Sequence, residues 1–130
     1  MKHKESDEQI SLFQWSKLME GQHLELKLLH AIGNGGKRRL LEAVRMKREG
    51  VLAGVSDIML PVARNGYHGL YIELKIKGGK PSDSQKWWIA EVTKQGYLAK
   101  VCYGWVDASE VIKGYLGEGT KGWKEETENQ

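Results

Sequence analysis

Cysteine is nearly absent from this chain of 130 residues: Cys102 stands alone, so neither an internal disulfide framework nor a cysteine-rich zinc module can be built. A reducing, intracellular setting is the expectation that follows. Long apolar runs are missing too, and nothing approaches the roughly 18 residues that a membrane-spanning helix needs. The opening Met1-Lys2-His3-Lys4-Glu5-Ser6-Asp7-Glu8 lacks the apolar stretch of a secretory leader. A soluble, cytoplasmic protein is expected. Internal repeats are lacking as well, and with 40% hydrophobic and 28% charged residues the composition is neither collagen-like, coiled-coil nor wholly disordered. At roughly 100–200 residues per domain the length allows one small domain, placed at residues 1–116, with a polar, glycine-bearing and mobile tail over 117–130.

Strong charge of one sign is also missing overall, since the formal net charge is only +3. Its distribution is uneven. The tail sets Lys121 and Lys124 against Glu118, Glu125, Glu126 and Glu128, so the rest of the chain is more basic than the total suggests. Between Lys27 and Gly50, the cations Lys27, Lys37, Arg38, Arg39, Arg45, Lys47 and Arg48 meet only Glu42 and Glu49. Such a cluster suits phosphate contacts; a solvated helix face accounts for the same charges.

The order of elements follows from caps, periodicity and turns. Ser6-Asp7-Glu8-Gln9 has the form of a capping box with Ser6 as N-cap, opening a helix with Ile10, Leu12, Phe13, Trp15, Leu18 and Met19 on a broad apolar face. A short helical or extended piece runs from Leu24 to Ile32, and Gly33-Asn34-Gly35-Gly36 forms a loop. Lys37 to Glu49 has helical spacing, with Leu40, Leu41, Val44 and Met46 expected inward. Val55 to Val62 and Gly69 to Ile76 are strand-like, and Asn65-Gly66 between them is a hairpin signal. Ser82-Asp83-Ser84-Gln85 is a second capping box, leading a helix to Gln95-Gly96. Tyr97 to Tyr103 is a third strand, and Asp107-Ala108-Ser109-Glu110 is expected to cap a last helix. The order α-α-β-β-α-β-α describes an α/β fold, a mixed central sheet flanked by helices.

Chemistry concentrates in the hairpin. In Glu73-Leu74-Lys75 the strand alternation sends Glu73 and Lys75 to one face and Leu74 to the other. Hairpin geometry can bring Asp57 to the same end of the sheet. Two converging carboxylates repel each other unless a cation sits between them, and oxygen ligands of that kind suit Mg²⁺ or Mn²⁺. Such a metal lowers the pKa of a bound water and polarises a phosphoryl oxygen. Lys75 would orient the attacking water or neutralise developing charge. An acid two places from a lysine is also common on exposed strands, where the pair contributes little. Both acids, however, lie in apolar segments, where an uncompensated carboxylate is costly.

With these residues in place, Asp57 followed by Glu73-Leu74-Lys75 after a hairpin resembles the motif of the PD-(D/E)XK nucleases, and more closely that of the virus-type replication–repair nuclease (VRR-NUC) domain. That family shows an Asn-Gly-Gly-x-Arg loop, a Gly-Val-Pro-Asp strand, a Gly-Leu-x-Ile-Glu-x-Lys strand, a Ser-x-x-Gln helix start and a Gly-Tyr strand. The corresponding blocks are Asn34-Gly35-Gly36-Lys37-Arg38, Gly54-Val55-Ser56-Asp57, Gly69-Leu70-Tyr71-Ile72-Glu73-Leu74-Lys75, Ser82-Asp83-Ser84-Gln85 and Gly96-Tyr97. They extend over about Glu8 to Leu116, nearly the whole domain. Gly33 and Ser56 stand where the family has proline before Asn34 and before Asp57, which loosens the backbone without removing a functional group.

The resemblance implies a restriction-endonuclease-like sheet and assigns Asp57, Glu73 and the Leu74 backbone carbonyl as metal ligands, with Lys75 as the catalytic lysine. It also implies a glutamate from the first helix, for which Glu8 is the choice and Glu5, almost one turn earlier, the fallback; favourable placement near the helix dipole explains Glu8 equally well. Gln85 is a candidate for positioning the lysine or a metal-bound water, in competition with its capping role. Asn34, Lys37, Arg38, Arg39 and Lys80 are the candidate DNA contacts, with Arg38 the best single phosphate ligand; a helix-linking turn with solvated charges is the plainer alternative. His30 is expected to pack or cap locally, His23 and His68 have no metal-ligand spacing, and at least one of Trp87 and Trp88 should be core.

The function implied is a Mg²⁺- or Mn²⁺-dependent DNA endonuclease that leaves 5′-phosphate and 3′-hydroxyl ends. Minimal members of this size resemble homodimers acting on branched DNA, including four-way junctions, and a phage or prophage source fits the family. One chain offers one metal site, whereas cutting two strands needs two. The alternative is a non-catalytic nucleic-acid-binding module that keeps the fold, for which the carboxylates have no use.

Overall fold

In the computed structural model, which describes residues 4–33 and 40–117, the chain opens with helix α1, Glu5–Met19. Its start lies before Ser6. Lys4 is the extended N-cap residue and its N–H donates to Asp7 Oδ2 at 3.1 Å, the reach-back half of a capping box. Ser6 is thus inside the helix, and the expected Ser6–Gln9 box gives way to Lys4–Asp7. The acids Glu5, Asp7 and Glu8 fill the first turn, where the helix dipole favours them.

A 3₁₀ turn, Leu24–Leu28, leads to the two-residue strand β1, His30–Ala31. Next come α2 (Leu40–Arg48), β2 (Ile58–Leu60), β3 (Leu70–Lys75), α3 (Asp83–Lys94), β4 (Leu98–Tyr103) and α4 (Trp105–Tyr115). The sheet order is β1-β2-β3-β4, antiparallel except for the parallel β3–β4 pair. A parallel neighbour demands a crossover, and α3 supplies it. This is the expected mixed sheet with flanking helices, extended by the short β1. Between β2 and β3, Asn65 (φ 53°) and Gly66 (φ 85°) both adopt left-handed backbone, and Arg64 and Tyr67 exchange backbone hydrogen bonds at 3.2 and 2.8 Å. That is the tight turn an Asn-Gly pair favours.

One sheet face carries Leu70, Ile72, Leu74, Leu98 and Cys102, all buried. They pack in one cluster with Leu12 of α1 and with Ala108, Val111, Ile112 and Tyr115 of α4. The opposite face carries Tyr71, Glu73 and Lys75, with Trp88 of α3 edge-on to Tyr71 at 5.4 Å between ring centroids. Trp88 is half-buried and Trp87 exposed. His30 Nδ1 lies 2.9 Å from the Leu28 carbonyl, a local contact.

Two expectations fail here for tertiary reasons. The last helix begins at Trp105, two residues before Asp107. Gly104 is its N-cap residue, the Trp105 N–H donates to Glu8 Oε1 from α1 at 2.7 Å, and Asp107 Oδ2 accepts from the Tyr103 N–H at 2.9 Å. Second, Leu40, Leu41 and Val44 of α2 are exposed rather than inward, and α2 buries no residue. Among the described residues no helix is long and apolar enough to cross a membrane. Residues 118–130, most of the expected tail, lie outside the described residues.

Tyr115, fully buried, ties α4 to the segment after β2: its hydroxyl donates to the Val62 carbonyl, and its own carbonyl accepts from Asn65 Nδ2 at 3.0 Å. Tyr115→Phe, which removes the hydroxyl and strands a buried carbonyl, is expected to cost about 1–2 kcal/mol. Urea unfolding monitored by circular dichroism would read that loss.

Candidate active site

The β2–β3 register places the two acids. Ile58 pairs with Ile72 as the last pair of the ladder, and one further step sets Asp57 opposite Glu73. Residues directly opposite on an antiparallel pair share a face, with Cβ atoms about 4.5–5.5 Å apart. Asp57 is anchored there because its Oδ2 accepts the Leu74 N–H at 2.8 Å, replacing the ladder bond that ends with β2. A strand residue sends its N–H and C=O to the same side, so the Leu74 carbonyl also leaves β3 toward Asp57.

Glu73 is 2% exposed. Its Oε2 accepts from Gln85 Nε2 at 2.9 Å, and Lys75 Nζ stands 3.9 Å from that same oxygen. Oε1 is buried with no donor facing it. Burial pushes the Glu73 carboxyl up to about 8. The charge and hydrogen bonding of Asp57 push the same way, Lys75 opposes them, and the charge of Glu5 adds to the upward shift. The environment therefore resists two negative charges at this spot.

Gln85 caps α3 and at the same time reaches Glu73 rather than Lys75. Its Oε1 accepts the Ser82 N–H at 2.8 Å and its N–H donates to Ser82 Oγ at 3.2 Å, completing the capping box of α3, while Nε2 holds Glu73. The expected competition does not arise, because an amide has an acceptor and donors on separate atoms. The α3 start is itself pinned by Gly54 (φ 92°): a Cβ there would collide with the Ser84 carbonyl. The loop preceding Asp57 thus rests directly on the turn that presents Gln85.

The remaining candidates are distributed as follows. Glu8 Oε1 accepts the Trp105 N–H at the start of α4, and Glu5, one turn earlier, acts electrostatically on Glu73. Both lie on one face of α1, at i and i+3; that spacing was the signal available for Glu5. Lys75 is largely buried at the site, with its side chain 13% exposed. Lys80 is exposed between β3 and α3. Asn34, Lys37, Arg38 and Arg39 lie outside the described residues. Sequence reasoning treated Ser56 only as a replacement for proline, whereas its Oγ is buried without a partner next to Asp57, and it did not anticipate the contact of Gly54 with Ser84.

Among the described residues no three His, Cys, Asp or Glu side chains form a group that could hold a metal ion by themselves. The site offers two carboxylates and a neighbouring carbonyl. A hard divalent cation fits this set, since it would give Glu73 Oε1 the counter-charge that no donor supplies and relieve the apposition with Asp57.

A mixed sheet whose antiparallel strands bring an aspartate against a Glu-x-Lys segment defines a nuclease-type domain. The VRR-NUC domain family matches residues 1–105, and the chain belongs to that family. A solved structure described as a VRR_NUC domain protein is similar at 30% identity, with 92% of this chain and 93% of that chain covered and a TM-score of 0.76. No curated protein matched the sequence.

The titration of Glu73 makes a prediction with a definite sign. Its pKa is raised on folding from an ordinary value of 4.5 to about 8, so the folded state holds that proton more tightly than the unfolded chain. The associated stability is complete below the ordinary value and is lost as pH rises through the folded one. In chelator, the thermal midpoint should fall as pH rises between about 5 and 8, and Glu73→Gln should flatten that slope. Gly54→Ala should cost roughly 1–3 kcal/mol through backbone strain and collision, read as a lowered urea midpoint.

Proposed function

We propose that this domain is a metal-dependent endonuclease of the PD-(D/E)XK kind, hydrolysing DNA phosphodiester bonds with Mg²⁺ or Mn²⁺. The observation that carries the reading is the buried, donorless Oε1 of Glu73 beside Asp57, with Lys75 on the same face. Binding a neutral ligand gives no use for such an arrangement, whereas a cation bridging protein carboxylates to a phosphate does.

Asp57, Glu73 and the Leu74 carbonyl would hold the cation, and the electrostatic reach of Glu5 makes it the better α1 acid than Glu8 for the same role. When bound, the metal supplies Lewis-acid polarisation of the phosphoryl oxygen and a more acidic water. The chain's own residues do the rest. Leu74 N–H fixes the Asp57 carboxylate, and Gln85 Nε2 fixes that of Glu73. Lys75 Nζ, held 3.9 Å from Glu73, orients the attacking water and offsets the charge that grows on the phosphate. Water attacks phosphorus in line and the bond to the 3′-oxygen breaks, leaving a 5′-phosphate and a 3′-hydroxyl. Lys80, exposed beside the site, serves the phosphate backbone along with Asn34, Lys37, Arg38 and Arg39.

The finer reading is a homodimer that cuts branched DNA such as four-way junctions, working in the cytoplasm of a bacterial host and encoded by a phage or prophage.

Cleavage of a labelled four-way junction beside linear duplex tests this directly. With Mg²⁺ or Mn²⁺, wild type should produce paired, symmetric nicks in the junction, and Lys75→Ala should lower the rate by about 10²-fold or more with unchanged circular dichroism. Equal cleavage of both substrates would remove the junction preference, and metal-independent binding without cleavage in both proteins would leave a non-catalytic module.

A further inference from the structure

The chemistry proposed above draws on β2 and β3 and leaves β4, at the edge of the sheet, without a part. β4 runs parallel to β3, and the register pairs Ala99 with Tyr71, Val101 with Glu73 and Tyr103 with Lys75. Paired residues of neighbouring strands share a face, and the strands lie about 4.8 Å apart. Cys102 is fully buried in the core cluster, so Tyr103 emerges on the opposite face with Glu73 and Lys75.

Tyr103 differs from the other aromatic side chains of that face. Tyr71, Tyr97 and Trp88 gather toward the start of β3 and β4, where Tyr71 meets each of the other two at 5.4 Å between ring centroids. All three are half-buried. Tyr103 is 46% exposed, and among the described residues its hydroxyl has no hydrogen-bond partner and its ring no aromatic neighbour. Ala99 and Val101, the other β4 residues on this face, carry no side-chain donor.

The backbone of Tyr103 is nonetheless held on both sides. Its N–H points off the free edge of the sheet and donates to Asp107 Oδ2 at 2.9 Å, while the next N–H, that of Gly104, donates to the Lys75 carbonyl at 2.9 Å. One bond ties the residue to α4 and the other ties its neighbour to β3. A fixed backbone with an open polar tip is preorganised for a ligand, because little ordering remains to be done on binding. The strand preference of aromatic residues accounts for a tyrosine on β4, but not for its place beside Lys75.

We propose that Tyr103 is a substrate-contacting residue: its hydroxyl donates to the DNA phosphate next to the one held at Asp57, Glu73 and Lys75, and Asp107 is its positioning residue. This deepens the nuclease reading given above and rests on it. The strand order sets Asp57, then Glu73 and Lys75, then Tyr103 across one end of the sheet. From Asp57 to Tyr103 is two strand spacings, about 10 Å, which is further than a single phosphate group extends. A DNA strand with its scissile phosphate between the carboxylates and Lys75 therefore brings a neighbouring group over β4. Tyrosine is among the side chains that hold phosphate oxygens, and a phenol donates without bringing a charge.

Fluorescence anisotropy of a labelled four-way junction in chelator, beside its cleavage in Mg²⁺, reads the prediction. Tyr103→Phe should bind about 10-fold more weakly than wild type, with unchanged circular dichroism. Its salt dependence should match wild type, since no cation is lost, whereas Lys80→Ala should lower the slope by about one. In cleavage, KM of Tyr103→Phe should rise by the same factor while kcat is kept. Asp107→Ala should bind more weakly than Asp107→Asn, which has the same charge but retains an oxygen for the Tyr103 N–H. Wild-type binding and KM in Tyr103→Phe would overturn the proposal, and a loss confined to Tyr103→Ala would assign the contact to the ring instead. A fall in kcat at unchanged KM would overturn the binding role. The expected binding losses without cleavage by wild type would remove the nuclease reading and leave the contact. No binding by wild type, in chelator or in Mg²⁺, would overturn both.

Discussion

Asp57 and Glu73 repel each other, and most of the surrounding structure exists to hold them together nonetheless. Left to water, two carboxylates would separate. Here the β2–β3 ladder ends one residue short of them, a strand N–H that has lost its ladder partner binds Asp57, and a helix-capping glutamine binds Glu73. Burial then raises the cost of the second charge and pushes the Glu73 carboxyl up to about 8. The core explains how this is sustained. Leu70, Ile72 and Leu74 bury one face of β3 against α1 and α4, and that rigid backing fixes where Glu73 and Lys75 emerge on the other.

Local chemistry was readable wherever the determining contacts are close in sequence. The Asn65-Gly66 turn and the Ser82–Gln85 box are set within four residues, and both are found where the residues put them. The alternation of Glu73, Leu74 and Lys75 places Leu74 in the hydrophobic cluster and its two neighbours on the other face of β3. The helix starts of α1 and α4 were not legible for the opposite reason. Glu8 caps α4 from 97 residues away, and no window around Asp107 contains that information. Gln85 shows a different limit: the capping box is local, but its second contact, to Glu73 across the sheet, depends on where β3 lies.

The inward expectation for α2 failed because periodicity describes one helix and carries no information on whether another element lies beside it. Leu40, Leu41 and Val44 have the spacing of core residues, yet none of them is buried among the described residues. The same holds for α1, since Ile10 and Leu18 belong to the broad apolar face of the sequence but not to the cluster around Leu12.

Gln85 also narrows which residue types its position accepts. In a capping box glutamate and glutamine usually interchange, because either oxygen can take the N-cap N–H. At this helix start a glutamate would still reach Ser82, but it would bring a third acid onto Glu73 and have no N–H to donate. An asparagine falls short by one methylene. A position that looks permissive from helix propensity alone is therefore restricted by its neighbour across the sheet, and the start of α3 and the order of the carboxylates stand or fall as one unit.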